Sequence, residues 1–466
     1  MGSHGGECGF SARPGICTDH SKEFGELKEI VKRARRANKV GGIIVVAAVV
    51  ALAGLWTLSA LAPGTASAAG PSPHVSIGAT TDNCATCHRI HTAQNSKLLK
   101  SIPESALCLS CHDGTGSQYN VAAEYSDPNV PANDAATSSY YSHPLDLSST
   151  HTSAQVDEFG GVFNRHSACS DCHNPHSMDG SVPQETSNGW TASGALKNIS
   201  GVSAALAWQN PITYEYELCF KCHSNYTVLL TSSTATYNET DKSAEMDPAN
   251  ASYHPIEAPG KNHSPQLQNS LNGGKLLQLT TGSTVRCTQC HGNYRLVGNP
   301  PTLNSPTTTA LLAPHASMYR SLLIANYRDR TLKSASEAYN TNDFALCYLC
   351  HSEAPFSTSS TDPRTDTNFE YHGMHLNSLS NGGSGGTDIN VPGDGQGNAI
   401  CAECHFDTHG TKLAPWPGNQ NYAGGVNFAP NVQPEPGQLS PIWDSSSRTC
   451  TLVCHGYDHN PTNAGY

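Results

Sequence analysis

Apolar side chains are scarce in this chain. Of its 466 residues only 37% are hydrophobic and 7% aromatic, while 41 Gly and 29 Pro break the backbone throughout. A chain this polar and this interrupted does not build an ordinary globular core by itself. Stretches such as TSSTATYNETDKSAEMDPANAS and NSLSNGGSGGTDINVPGDGQGN have no apolar period and read as loops. Positive charge is scarce as well. Residues 1–68 hold eight of the 26 Lys/Arg and five of the 38 Asp/Glu, which leaves 18 against 33 in the remainder, a net of −15. That balance argues against a nucleic-acid partner, which would need basic patches. It fits cationic partners only weakly, because acidic surfaces are common in exported proteins.

The one long apolar run is VGGIIVVAAVVALAGLWTLSALA, residues 40–62, which follows the basic stretch VKRARRANK. Ala66-Ser67-Ala68 after it has the small-residue spacing of a signal-peptidase site. The expected organisation is a leader over 1–39, a signal hydrophobic region and cleavage site over 40–68, and one domain over 69–466. An uncleaved anchor is the alternative, since 23 residues can span a bilayer. In both cases the remainder is exported. Val31 opens a far more ordinary signal peptide than Met1 does, so translation is expected to start there, leaving Cys8 and Cys17 outside the working protein.

What is plentiful is Cys and His in a fixed spacing. C-x-x-C-H occurs at Cys84–His88, Cys108–His112, Cys169–His173, Cys219–His223, Cys287–His291, Cys347–His351 and Cys401–His405. An eighth copy, CTLVCH at Cys450–His455, has one extra residue. At this composition chance predicts roughly 0.03 strict copies. The pattern is the attachment signature of c-type haem: two thiols form thioethers and the histidine is an axial iron ligand. A disulfide framework would not place a histidine after every second cysteine, and structural zinc would give that histidine no job. The covalent residues are then Cys84, Cys87, Cys108, Cys111, Cys169, Cys172, Cys219, Cys222, Cys287, Cys290, Cys347, Cys350, Cys401, Cys404, Cys450 and Cys454. The proximal ligands are His88, His112, His173, His223, His291, His351, His405 and His455. The extra residue in the last motif should bulge.

The fold expected is mostly irregular coil with short helices, an extended chain wrapped around a stack of eight covalently bound haems that serve as its core. Short helical turns should carry the motifs, and a longer helix is expected over residues 307–328, with His315 and Tyr319 on one face.

The sixth iron ligand decides whether a haem transfers electrons or binds substrate. Thirteen further histidines follow residue 68, enough for every haem to be bis-histidine. Context favours His91, His143, His166, His176, His254, His315, His372, His375 and His409; His143 and His254 share a His-Pro pattern. His74, His151, His263 and His459 rank lower. Met178, Met246, Met318 and Met374 are more simply packing groups. His91 lies too near His88 in sequence to reach the opposite face of the same haem, so it is sent to another haem, in this subunit or elsewhere.

CLSCHDGT, then SHPLD, then CSDCHNPHS, resembles the paired-CxxCH pattern of multihaem cytochromes from metal-respiring bacteria. CATCHRIH followed by CLSCH, within residues 84–112, resembles the start of the extracellular cytochromes that polymerise into conductive filaments, the cytochrome nanowires. That resemblance implies that His91 is the distal ligand of a haem in a neighbouring subunit. It also implies further copies of the chain, upstream outer-membrane or periplasmic cytochromes and extracellular electron acceptors as partners. A monomeric periplasmic or surface electron carrier is the alternative. A multihaem oxidoreductase of nitrogen or sulfur oxyanions is the third reading, but no motif ends in lysine, the usual mark of an open haem.

Overall fold

A computed structural model of the chain describes residues 74, 81–117, 119–130, 141–143, 145, 167–179, 191–227, 229, 239–274, 279–294, 313–329, 331–334, 337–357, 367–377, 398–412, 416, 422–454 and 457–459. They all belong to the unit Pro71–Tyr466. The leader, Cys8, Cys17, His151, His166 and His455 lie outside them. Among the described residues no helix is long and apolar enough to cross a membrane.

Among the described residues regular structure is short. The α-helices are α1 (Thr81–Cys87), α2 (Glu104–Leu109), α3 (Ala122–Tyr125), α4 (Cys169–Cys172), α5 (Glu215–His223), α6 (Lys242–Glu245), α7 (Pro265–Asn272), α8 (Ala345–Tyr348), α9 (His372–Asn377) and α10 (Cys401–Cys404). Two antiparallel sheets accompany them, one of β1 (Gly201–Val202) and β2 (Trp208–Gln209), the other of β3 (Ile442–Asp444), β4 (Thr449–Cys454) and β5 (Tyr457–His459) in that order. Buried apolar residues form small separate groups, such as Phe344, Tyr348, Leu376, Ile400 and Ala402, or Val202, Phe220, Met246 and Ile256.

The seven strict motifs sit on helical turns, six on α-helices and Cys287–Gln289 on a 3₁₀ turn. The spacing explains why. In six of them the histidine N–H donates to the carbonyl of the first cysteine, from His173 and His405 at 2.8 Å to His112 at 3.0 Å. This i→i−4 bond closes one turn and puts the two cysteines, three residues apart, on one face. Four of the turns carry their own cap. The Asp171, Glu217, Gln289 and Glu403 side chains, each at the third helical position, accept from backbone N–H groups just before the helix, at 2.7–2.9 Å. In CSDCH, CTQCH and CAECH the capping residue is the one before the second cysteine.

Two expectations fail. Residues 313–329 form no long helix: only Arg320–Leu322 makes a 3₁₀ turn, and Ser321 and Leu322 have positive φ. His315 sits instead at a bend beside Ala316, which bridges Ser142, so a tertiary contact overrides the local helical period. The eighth motif does not bulge. Cys450 and Cys454 lie in regular register on β4, which pairs with β3 and β5, because strands on both sides hold it straight.

Motif-to-motif contacts are made by acids in the first turn. Glu104 on α2 accepts from Ser170 N (2.7 Å) and Ser170 Oγ (2.9 Å) of α4. Glu215 on α5 accepts from Thr288 Oγ1 at 2.9 Å and from Arg286 at 3.1 Å, both at the Cys287 turn. Glu215 and Arg286 side chains are each 4% exposed. Glu215→Ala would leave the Arg286 charge buried without its partner, so a loss of about 3–5 kcal/mol is expected. Denaturant titration of the matured protein measures it, and a loss under 1 kcal/mol would contradict the assignment.

Candidate haem sites

Two imidazoles on opposite sides of one iron, with metal–nitrogen bonds of about 2.0 Å, have ring centres about 6.2 Å apart. That spacing recurs throughout the described residues. His88 faces His176 at 6.0 Å, His112 faces His74 at 6.2 Å, His173 faces His315 at 6.1 Å, His223 faces His143 at 6.4 Å and His291 faces His409 at 6.1 Å. His254 lies within electrostatic reach of both His351 and His405, and His405 also of His372. Five of the seven strict motifs are matched by ring geometry to one further histidine.

The outer nitrogens agree with a metal role. A ligating imidazole usually binds through one nitrogen and anchors the other on a second group. The Nδ1 atoms of His88, His173, His291 and His405 lie 2.9, 3.0, 2.7 and 3.0 Å from the carbonyls of Lys97, Ala195, Ser321 and Gly425. Nδ1 of His74 is 2.9 Å from the Pro175 carbonyl, and that of His143 is 2.6 Å from Pro314. His223, His315 and His409 face carboxylates instead, Glu239 at 2.8 Å, Glu124 at 3.2 Å and Glu245 at 3.1 Å. This chemistry leaves Nε2 for iron, and the carboxylates make their imidazoles stronger donors. Burial pushes His143, His173, His291 and His351 down to about 4 and His372 to about 3, so the rings are neutral near pH 7. At Glu245 burial opposes ionisation, but His409 and Lys242 outweigh it and hold the carboxyl at about 2.

The distal histidines come in bridged pairs built the same way. His143 N donates to His315 O at 3.0 Å, and Ser142 bridges Ala316. His254 N donates to His409 O at 2.9 Å, and Tyr253 bridges Gly410. In both the Nδ1 atom approaches the carbonyl just before the other histidine, Pro314 or Thr408. Gly410 is required there, because a Cβ would overlap the Glu245 carbonyl. His372 and His375 are paired more simply, on α9.

The thiols arrange the motifs in sequence order. Cys87 and Cys111, Cys172 and Cys222, Cys290 and Cys350, and Cys404 and Cys450 lie within electrostatic reach of each other. Cys108 and Cys169, Cys219 and Cys287, and Cys347 and Cys401 are in hydrogen-bond contact. Second cysteines therefore meet between motifs 1–2, 3–4 and 5–6, first cysteines between 2–3, 4–5 and 6–7, and the second cysteine of motif 7 lies near the first of motif 8. None of the sixteen described cysteines is in a disulfide. Burial pushes Cys172 up to about 11 and Cys222, Cys290, Cys350 and Cys450 to about 12.

Of the distal candidates favoured by context, His143, His176, His315 and His409 stand opposite a motif histidine, and His254 and His372 lie within electrostatic reach of His351 and His405. His375 faces His459. His91 is exposed, without a described partner for its imidazole. His74 and His459 rank low in the sequence yet sit in pairs. The only sequence signal of His459 is its place in CHGYDH, and His74 lies ten residues before the first motif.

The doubled CXXCH motif family matches residues 78–117, the first two motifs. Searches of the curated proteins and of the solved structures returned no match. The class that the motif and these sites define is the multihaem c-type cytochrome, with covalently bound haem and electron transfer as its chemistry. Haem supplies one-electron Fe(III)/Fe(II) chemistry; the thiols and imidazoles of the chain would hold it, and the carboxylates of Glu124, Glu239 and Glu245 behind three of those imidazoles would tune it.

Proposed function

We propose that the chain is an octahaem electron conduit, bis-histidine at every iron, exported and assembled into an extracellular filament. The observation that carries this reading is the contact order of the motif cysteines. Each motif touches the next in the sequence, so the haems form one unbranched row with no gap for an electron to cross through protein alone. Matched histidine pairs support electron transfer over substrate binding, since two strong axial ligands leave no open position. The carboxylates Glu124, Glu239 and Glu245 fall on sites 3, 4 and 5, where they favour the ferric state.

Copies are proposed to join through the surface around His91, His91 passing to the neighbouring copy. Ile90 is 81% exposed, Leu98 44% and Ile102 49%, three of the five large apolar side chains exposed among the described residues. Apolar exposure concentrated beside an exposed histidine is what a docking face requires. Electrons would enter from upstream cytochromes and leave to an external acceptor.

Intact mass of the natively matured protein should show eight haems, and its EPR spectrum only low-spin ferric signals. A mass with fewer haems, or a high-spin signal with nitrite turnover by a reduced dye, would replace the conduit with an oxidoreductase. Electron microscopy of material sheared from cells should show thin filaments; discrete particles alone would leave a monomeric carrier.

A further inference from the structure

We infer that Glu124, Glu239 and Glu245 give sites 3, 4 and 5 lower potentials than the strict sites on either side, so that electrons rest towards the two ends of the row and its interior is the slow crossing. The inference rests on the electron-conduit reading above.

Each of these acids backs one imidazole, at three consecutive sites. Nδ1 of His315 lies 3.2 Å from Glu124, that of His223 2.8 Å from Glu239 and that of His409 3.1 Å from Glu245. The three carboxyl side chains are 7, 15 and 0% exposed in that order. With Nε2 left for iron, each Nδ1–H donates to a negative charge held out of water, and the imidazole becomes more basic. Second-shell hydrogen bonding of this kind is one of the levers on a haem potential, and added negative charge favours the ferric state. Little water stands between these charges and the rings to screen them. Glu239 also lies within electrostatic reach of His143, the other ring of site 4. Among the described residues Glu124 makes no ion pair with Lys or Arg.

The motif imidazoles of the flanking strict sites meet neutral groups instead. Carbonyls of Lys97, Tyr119 and Gly425 back His88, His112 and His405 at 2.9, 3.3 and 3.0 Å, and the Ser270 hydroxyl backs His351 at 3.2 Å. A neutral partner orients the ring without bringing a charge to it.

Two cations act against the acids. Lys242 Nζ lies 2.8 and 2.7 Å from the two Glu245 oxygens and within electrostatic reach of both His291 and His409. Asp407, 3.8 Å from His409 Nδ1, adds an acid at the same site. Lys221 lies by Cys172 and Cys222, where Asp171 opposes it. Lys242 thus sets how far site 5 falls, and the three acids act as positioning residues through the imidazoles they face.

The test is a reductive titration of the matured holoprotein, followed by haem absorbance and by EPR. Glu124→Gln, Glu239→Gln and Glu245→Gln keep an acceptor for Nδ1–H and remove the charge. Each should raise one potential, changing the ferric-to-ferrous ratio of that site about tenfold, or about 59 mV for one electron. The triple variant should narrow the whole titration, and Lys242→Gln should lower one potential. Intact mass and retained low-spin signals show which variants have loaded fully, and any variant that fails to load leaves the decision to the others. Fully loaded glutamine variants that titrate like the parent overturn the inference, as does a Lys242→Gln variant whose potentials rise. A high-spin, carbon monoxide-binding haem in the parent overturns the conduit reading instead.

Discussion

Withholding haem from the chain is expected to abolish its tertiary structure. Among the described residues the buried apolar side chains fall into separate groups, none with more than five buried members. The longest helix, Glu215–His223, has nine residues, below the length at which an isolated helix holds in water. The widest sheet has three strands. Ordering each residue costs about 1–2 kcal/mol in backbone entropy, and these small groups bury too little to offset it. Cells lacking the haem-attachment machinery should therefore yield a chain with coil-like circular dichroism and rapid proteolysis along its whole length. An apoprotein that unfolds cooperatively with the helix content of the holoprotein would show that the polypeptide has a core of its own.

His91→Ala is expected to abolish filaments while leaving haem content intact. His91 stands outside the matched pairs, so its loss removes no described contact of an iron site. The face it occupies carries Ile90, Leu98 and Ile102, and burying a side chain such as Ile90 contributes about 1.5–3 kcal/mol. Ile90→Ser alone should then weaken association roughly tenfold to a hundredfold per contact. Intact mass and electron microscopy of both variants give the answer. Normal filaments from His91→Ala would remove His91 from the subunit contact and move the search to another face.

Much of the site is legible in five-residue windows. The attachment chemistry needs two thiols and an imidazole on one helical turn, so CxxCH specifies both the residues and the local structure that presents them. The caps at Asp171, Gln289 and Glu403 lie inside the same windows. The polar composition likewise announces a coil-rich chain organised by something other than apolar packing, and the short helices agree.

The distal side is another matter. His173 meets His315, and His223 meets His143, across more than a hundred and some eighty residues respectively, and nothing local marks the partners. The helix expected over 307–328 fails for the same reason: Ala316 is claimed by a bridge to Ser142 and His315 by its facing imidazole. His74 and His459 look like surface residues until the fold sets them beside His112 and His375. The sequence alone determined which cysteines and histidines carry the haem-attachment pattern, because that pattern is local. Only the tertiary structure decided which histidines face one another, in what order the motifs touch, and that the last motif lies on a strand, because each depends on contacts between distant segments.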